Sequence, residues 1–284
     1  MQPWALITPA SRGIGFHLTR RILQTTNCPV VATSRKNQDE TKEKLLDGLK
    51  DVQESRLTVL PLDVLDESSI ESAATHCSSL FPKPTHHLHL AFAVPGILYP
   101  EKSPSQINAA DALLTFQTNT LGPLLLIKHF HTFLPTKRTA LPSPASEEKE
   151  NNEHEATQLY KGLTPTHATW AAMSARVGSI SDNALGGWYS YRASKAALNQ
   201  IVKTFDNHLK TSAGDRCMAL GLHPGTVKTG LSKEFWGGVR KDKLFEPEWV
   251  AERLIGLCTA GEGDGIGVGG RGRCWDWDGK VVPP

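Results

Sequence analysis

Tyr191 and Lys195 stand four residues apart in the run Trp188 to Gln200 (WYSYRASKAALNQ), with small residues between and beyond them. On a helix of about 3.6 residues per turn that spacing stacks the two side chains on one face, roughly one turn apart. A phenol with a cation fixed beside it is a tunable acid. An unperturbed Tyr titrates near pH ~10, and a nearby positive charge favours its ionised form, moving that value toward neutrality. A group that gives or takes a proton near operating pH suits carbonyl and alcohol redox chemistry. Spacing alone is weak, because a solvated helix face explains the same pair more simply.

The elements that must position such a pair are legible along the chain. Residues 4–8 (WALIT) are apolar and strand-like and run into Thr8-Pro9-Ala10-Ser11-Arg12-Gly13-Ile14-Gly15, after which Ile14, Leu18, Ile22 and Leu23 form a helical stripe. Strand, small-residue turn and helix is the context in which glycines let backbone N–H groups approach a pyrophosphate. An ordinary turn with two glycines is the plainer alternative. A second strand, Pro29 to Thr33, ends at Ser34-Arg35-Lys36. In a dinucleotide fold this strand end meets the adenosine ribose, and a basic residue there accommodates a 2′-phosphate. Arg12 could reach the same group, although either arginine could equally be a solvated loop cation.

A third strand, Leu57 to Leu60, leads to Asp63 and Val64. Asp63 suits an adenine amino group or the cap of the following helix. The fourth strand, His87 to Val94, closes on Pro95-Gly96. Of His86, His87 and His89, only His87 and His89 share a strand face, and no ligand pattern accompanies them, so no metal site is expected. A long helical region from about Gln106 to Phe133 carries Asn119 and the Gly122-Pro123 interruption. A proline in a helix interior removes a hydrogen bond, which predicts a kink near Asn119. A buried amide at such a kink can hold a water by its side chain and the freed carbonyl.

Residues 135–165 read as an exposed insertion rather than a domain boundary, being polar and proline-bearing without apolar periodicity. A fifth strand (about His167 to Met173) and a sixth (Arg216 to Leu222) follow, the latter ending in His223-Pro224-Gly225-Thr226-Val227-Lys228-Thr229. The apolar strands separated by helices indicate a parallel sheet covered on both faces, in one doubly wound α/β domain spanning 1–284. The glycine turn, Arg35, Asp63, Gly96, Ser174, Ser179 and Pro224-Gly225 all fall at strand carboxyl ends, where ligands of such sheets bind.

Composition narrows the partners. The 31 Lys+Arg against 29 Asp+Glu leave no broad basic field for nucleic acid or membrane. Five scattered cysteines without a CxxC suit a reducing compartment, and the N-terminus lacks the pattern of a secretory signal, so the expected location is the cytosol. The longest apolar run, Leu121 to Ile127, is too short to span a bilayer.

Taken together, these motifs resemble the short-chain dehydrogenase/reductase family, in its C-factor-like and sniffer-like carbonyl reductase branch. Thr8 to Gly15 resembles the family's T-G-x-x-x-G-x-G with Pro9 in place of the first glycine. Tyr191 and Lys195 match Y-x-x-x-K, Asn119 the helix asparagine, and Pro224 to Thr229 the P-G-x-x-x-T segment. The resemblance implies a Rossmann-type sheet of about seven strands in the order 3-2-1-4-5-6-7, with helices on both faces. It implies that Tyr191 donates a proton to a carbonyl oxygen. Lys195 would lower the Tyr191 pKa, hold the nicotinamide ribose and relay protons to a water on Asn119. A serine would polarise the carbonyl, and Thr229 would help hold the carboxamide. Arg12 and Arg35 then favour NADP(H) over NAD(H).

Three departures stand out. Pro9 cannot take a positive φ, so the turn must be made differently. The family's N-N-A-G reads Ala93-Val94-Pro95-Gly96, without the amide that steadies the central strands. The expected serine position falls on Ala175, leaving Ser174 or Ser179, and Ser179 is favoured because Ser174 points to the opposite sheet face. The expected function is reduction of a ketone or aldehyde, or the reverse oxidation. The rival is a cofactor-binding regulatory protein with little turnover. The segment Leu231 to Lys243 suits a mobile lid whose Phe235 and Trp236 fit an apolar or aromatic substrate, although core packing explains them too. The Tyr191 helix and the 106–133 helix could pair across a homodimer or simply cover the sheet.

Overall fold

A computed structural model describes residues 1–142, 158–260 and 265–284. Its centre is an eight-stranded sheet built from β1 (Gln2–Thr8), β2 (Val30–Ser34), β3 (Leu57–Pro61), β4 (His86–Ala93), β5 (Ala168–Met173), β6 (Cys217–His223), β9 (Cys274–Asp276) and β10 (Val281–Val282). The order is β10-β9-β6-β5-β4-β1-β2-β3, with every pair parallel except the antiparallel β9–β10 edge. This is the doubly wound order expected from the sequence, extended by one short strand. A separate two-stranded pair joins β7 (Thr226–Val227) to β8 (Leu244–Phe245).

The strands are apolar on both faces because helices cover both. Trp4 and Leu6 of β1 enter one core with Leu126, Phe130, Leu198, Val202 and Phe205. Their neighbours Ala5 and Ile7 enter the other, with Leu18, Ile22, Val250 and Leu254. The period of two thus sends alternate side chains into two dry layers. The first layer is covered by α3 (Glu67–Leu80), α5 (Gly122–Phe130) and α6 (Tyr189–Ser212), the second by α1 (Gly13–Thr25), α2 (Gln38–Leu46) and α7 (Pro247–Thr259). No helix among the described residues is long and apolar enough to cross a membrane.

The long helical region is broken where the proline suggested. Helix α4 (Ala109–Phe116) passes through a π-helical turn at Gln117–Leu121 before α5 begins at Gly122. Such turns widen the backbone and recur at functional positions. About half of the expected 135–165 insertion, residues 143–157, lies outside the described residues. Its carboxyl flank packs inward, with Tyr160 and Leu163 buried in the second core.

That flank meets two buried histidines. His87 Nε2 lies 2.9 Å from His89 Nδ1, and His89 Nε2 lies 2.7 Å from the Thr164 carbonyl. Burial pushes His87 down to about 4 and His89 to about 3, from an ordinary value of 6.5. Both are therefore neutral when folded, whereas the unfolded chain takes up their protons first as pH falls. Their contribution to stability is fully present above pH 6.5 and is lost as pH falls toward 4. We expect the melting temperature to drop over that window, and a His87→Gln/His89→Gln variant to show a shallower drop in the same titration.

Candidate active site

Tyr191 and Lys195 lie on one buried face at the start of α6, 8% and 2% exposed. The ammonium of Lys195 sits 5.7 Å from the centre of the Tyr191 ring and donates to the Met173 carbonyl, at the carboxyl end of β5, at 2.7 Å. One glycine makes room for the helix here, and a second lies beside the ammonium. A Cβ on Gly178 would come within 2.8 Å of the Lys195 backbone and Cβ, so only glycine lets the turn after β5 press against the helix. A Cβ on Gly96 would lie 3.8 Å from Lys195 Nζ, 3.9 Å from Asn119 Oδ1 and 3.7 Å from a Leu231 methyl, which shows how closely these groups converge.

One expectation is corrected at this pair. The ammonium does not bring the phenol toward neutrality: Tyr191 is pushed up to about 12 by burial. The same burial brings Lys195 down to about 8. Loss of solvent shifts both groups, and a reading from spacing alone leaves it out. Asn119 links the loop after β4 to α6. Its amide accepts from Ile97 N–H at 2.9 Å and donates to the Ile97 carbonyl at 2.9 Å and Ser194 Oγ at 3.1 Å.

The two serines have different partners. Ser174 Oγ donates to Asn199 Oδ1, one helical turn past Lys195 and behind the cleft. Ser179 follows Gly178 into the cleft-side loop, where its hydroxyl donates to the Pro284 carbonyl at 3.2 Å and accepts from Asp182 N–H at 3.0 Å. Neither bonds to Tyr191, and Ala175 occupies the position between them.

The turn after β1 is built around Pro9 rather than a glycine. The Thr8–Pro9 peptide is cis. Ala10 N–H bonds to the Thr33 carbonyl at 2.8 Å, and Gly13 takes φ +60. Gly15 is indispensable here, because a Cβ would lie 2.0 Å from the Pro9 carbonyl oxygen. In the absence of the family's asparagine, β1 is tied to its neighbours by Val94 N–H to the Thr8 carbonyl at 2.7 Å and by Thr33 Oγ1 to Thr8 Oγ1 at 2.8 Å.

The N-terminus of α1 carries no side-chain cap and no acidic residue in its first turn. Uncapped N–H groups, Ser11 and Arg12 exposed beside them, half-buried Ile14 and exposed Arg35 at the end of β2 form a region suited to phosphate. Thr229 closes over it, its methyl 3.6 Å from where a Gly13 Cβ would be. That approach joins the Pro224–Thr229 segment, with Pro224 and Val227 buried, to the glycine turn. Gly225 turns at φ +75 against the rings of Phe245 and Trp277. Asp63 Oδ1 accepts from Leu65 N–H at 3.0 Å, and the cap of α3 is Asp66, which settles the helix-cap alternative against Asp63. Val64 packs on Gly122 beside the π turn.

Sequence reasoning missed Glu101. It is 4% exposed, and its carboxylate accepts from the Ser190 N–H at 3.0 Å and the Ser190 hydroxyl, immediately before Tyr191. The contact joins residues 89 apart. The one local signal was the absence of an acidic residue in the first turn of α6.

A family model described as short chain dehydrogenase matches residues 3–140. With this fold and this Tyr–Lys face, the chain resembles the short-chain dehydrogenase/reductase family of oxidoreductases. It is 29% identical over 254 residues, 88% of each protein, to 1-hydroxy-2-glutathionyl-2-methyl-3-butene dehydrogenase of Rhodococcus sp. (strain AD45). Among solved structures it resembles the carbonyl reductase Sniffer of D. melanogaster, with a TM-score of 0.76, 23% identity and all of both chains covered. It also resembles the NADPH-bound carbonyl reductase from chicken fatty liver, with a TM-score of 0.75 and 25% identity over 99% of this chain and 98% of that one.

The buried ammonium carries a stability cost. Lys195 is charged in both states below about pH 8; above it the folded chain releases the proton first, and the cost fades toward the unfolded lysine value near ~10.4. Lys195→Met should therefore raise the melting temperature at pH 7, with a smaller gain at pH 10. Thermal melts at the two pH values check this.

Proposed function

We propose that this chain is an NADPH-dependent reductase of a ketone or aldehyde, able to run the alcohol oxidation in reverse, with Tyr191 as proton donor. The observation that carries this reading is the burial of Tyr191 and Lys195 on one helix face, with Gly96 beside the ammonium. When bound, the nicotinamide supplies or accepts the hydride. The chain handles the proton and the positioning. A phenol pushed up to about 12 is fully protonated at neutral pH and so acts as the acid. The Lys195 ammonium, near a tyrosinate formed by that donation, stabilises it. Asn119 fixes the loop carrying Gly96 and Ile97 and steadies α6 through Ser194. Ser179 is the better placed of the two serines for the substrate oxygen, since Ser174 is turned to Asn199.

For the cofactor, Thr8, Ser11, Arg12, Gly13, Ile14 and Gly15 would hold the pyrophosphate and Arg35, with Arg12, the 2′-phosphate. Asp63 and Val64 would face adenine and Gly96 the ribose, with Tyr191 and Lys195. Pro224, Gly225, Val227 and Thr229 would hold the carboxamide. The fit rests on the uncapped α1 N-terminus with no acidic residue to repel phosphate. Leu113, Phe116, Leu121 and Leu124 are exposed along the α4–α5 region, which supports a homodimer through this face. The cysteines, all free thiols, support a cytosolic location.

A second reading, an NADP(H)-binding regulatory protein with little turnover, is favoured by Ala175 and by the prior hydrogen bonds of both serines. Tyr191→Phe distinguishes them. We expect it to lose about a hundredfold or more in NADPH-dependent turnover while its NADPH dissociation constant stays near wild type. Wild-type protein that binds NADPH yet reduces none of a panel of ketones, aldehydes and quinones contradicts the enzyme reading. Arg35→Asp should weaken NADPH about tenfold while leaving NADH nearly unchanged, measured as dissociation constants.

A further inference from the structure

Gly186, Gly187 and Trp188 follow one another in the left-handed region, with φ of 64, 67 and 52. Glycines adopt it freely, but a tryptophan does so only where its surroundings hold it there. They do so here from two sides. Trp188 N–H donates to the Glu101 carbonyl at 2.6 Å, while the Glu101 carboxylate takes the Ser190 N–H and hydroxyl. Arg192 Nε, one turn into α6, donates to the carbonyls of Gly186 at 3.1 Å and Gly187 at 2.9 Å. The conformation is therefore over-determined, which is the pattern of strain kept at functional positions.

Its product is the placement of one indole. The half-buried Trp188 ring stands edge-on to Tyr191 at 6.1 Å and lies 4.9 Å from Phe235, in the Leu231–Lys243 segment beyond the sheet. Two further aromatic rings thus stand on the Trp188 side of the phenol. A relaxed backbone at Trp188 would swing the indole away from both.

We propose that Trp188 is the specificity-determining residue of the cleft, held by Glu101 as a positioning residue so that its ring sorts flat aromatic ketones and quinones from small aliphatic carbonyl compounds. The proposal rests on the reading of Tyr191 as the proton donor at this cleft. Aromatic rings prefer offset or edge-to-face partners, and such pairs discriminate beyond the area they bury. The Glu101 carboxylate also faces the N–H groups that open α6, where negative charge is favoured, so it fixes the helix start and the indole together.

The test measures binding of 9,10-phenanthrenequinone and 2,3-hexanedione to the NADP⁺ complex of the full chain by calorimetry, with NADPH turnover of both alongside. Trp188→Ala and Glu101→Gln should each weaken the aromatic dione about tenfold and leave the aliphatic one within about twofold. In turnover the same contrast should fall in KM rather than kcat. Trp188→Phe should restore most of the aromatic affinity, which a loss of fold would not allow. Equal losses for both diones, no loss at Trp188→Ala, or no binding of the aromatic dione by wild type overturns the proposal. A silent Glu101→Gln overturns the positioning role. Wild type that binds the aromatic dione but never oxidises NADPH leaves the Trp188 assignment standing and removes the reductase reading instead.

Discussion

A lysine ammonium held in the interior of a protein is the constraint on which this site depends. Lys195 is 2% exposed and its Nζ donates to the Met173 carbonyl. Removing a charge from water is expensive, and here the cost appears as a lysine brought down to about 8. Much of the surrounding architecture follows from tolerating that burial. Gly178 presses a backbone turn onto the helix beside it, Gly96 brings the loop after β4 over it, and β5 ends where its last carbonyl can accept.

The sheet turns this local arrangement into a cleft. Parallel strands deliver all their carboxyl ends to one edge, and the two dry layers fix the helices that rise from it. The loop after β4 then stitches the edge together: Ile97 is held by Asn119 from the π turn, and Glu101 is held by Ser190 at the head of α6. Opposite, the Gly13 turn and Thr229 meet. The Tyr191–Lys195 pair and the start of α1 thereby both lie at the strands' carboxyl edge, although they are far apart in the chain.

How much of this was legible in the sequence depended on the range of each interaction. The strands and their order could be read because runs such as Val30 to Thr33 are apolar on both faces, a signal carried within a few residues. The break near Asn119 was readable because Gly122-Pro123 acts locally; that it takes the form of a π turn was not. Glu101 was invisible because its partner is 89 residues away. The direction of the Tyr191 shift was misjudged for a related reason. Spacing reveals the neighbouring charge, whereas burial, which sets the direction here, is a property of the whole fold. The Thr8–Thr33 bond, standing where the family's asparagine is missing, likewise needs the register of two strands.

The most direct test of the central claim is a crystal structure of the chain with NADP⁺. The account predicts a nucleotide running from the uncapped start of α1, past Arg12 and Arg35, to the face shared by Tyr191 and Lys195. A nucleotide bound elsewhere, or one that reaches the cleft while Tyr191 and Lys195 face away from it, would contradict the account.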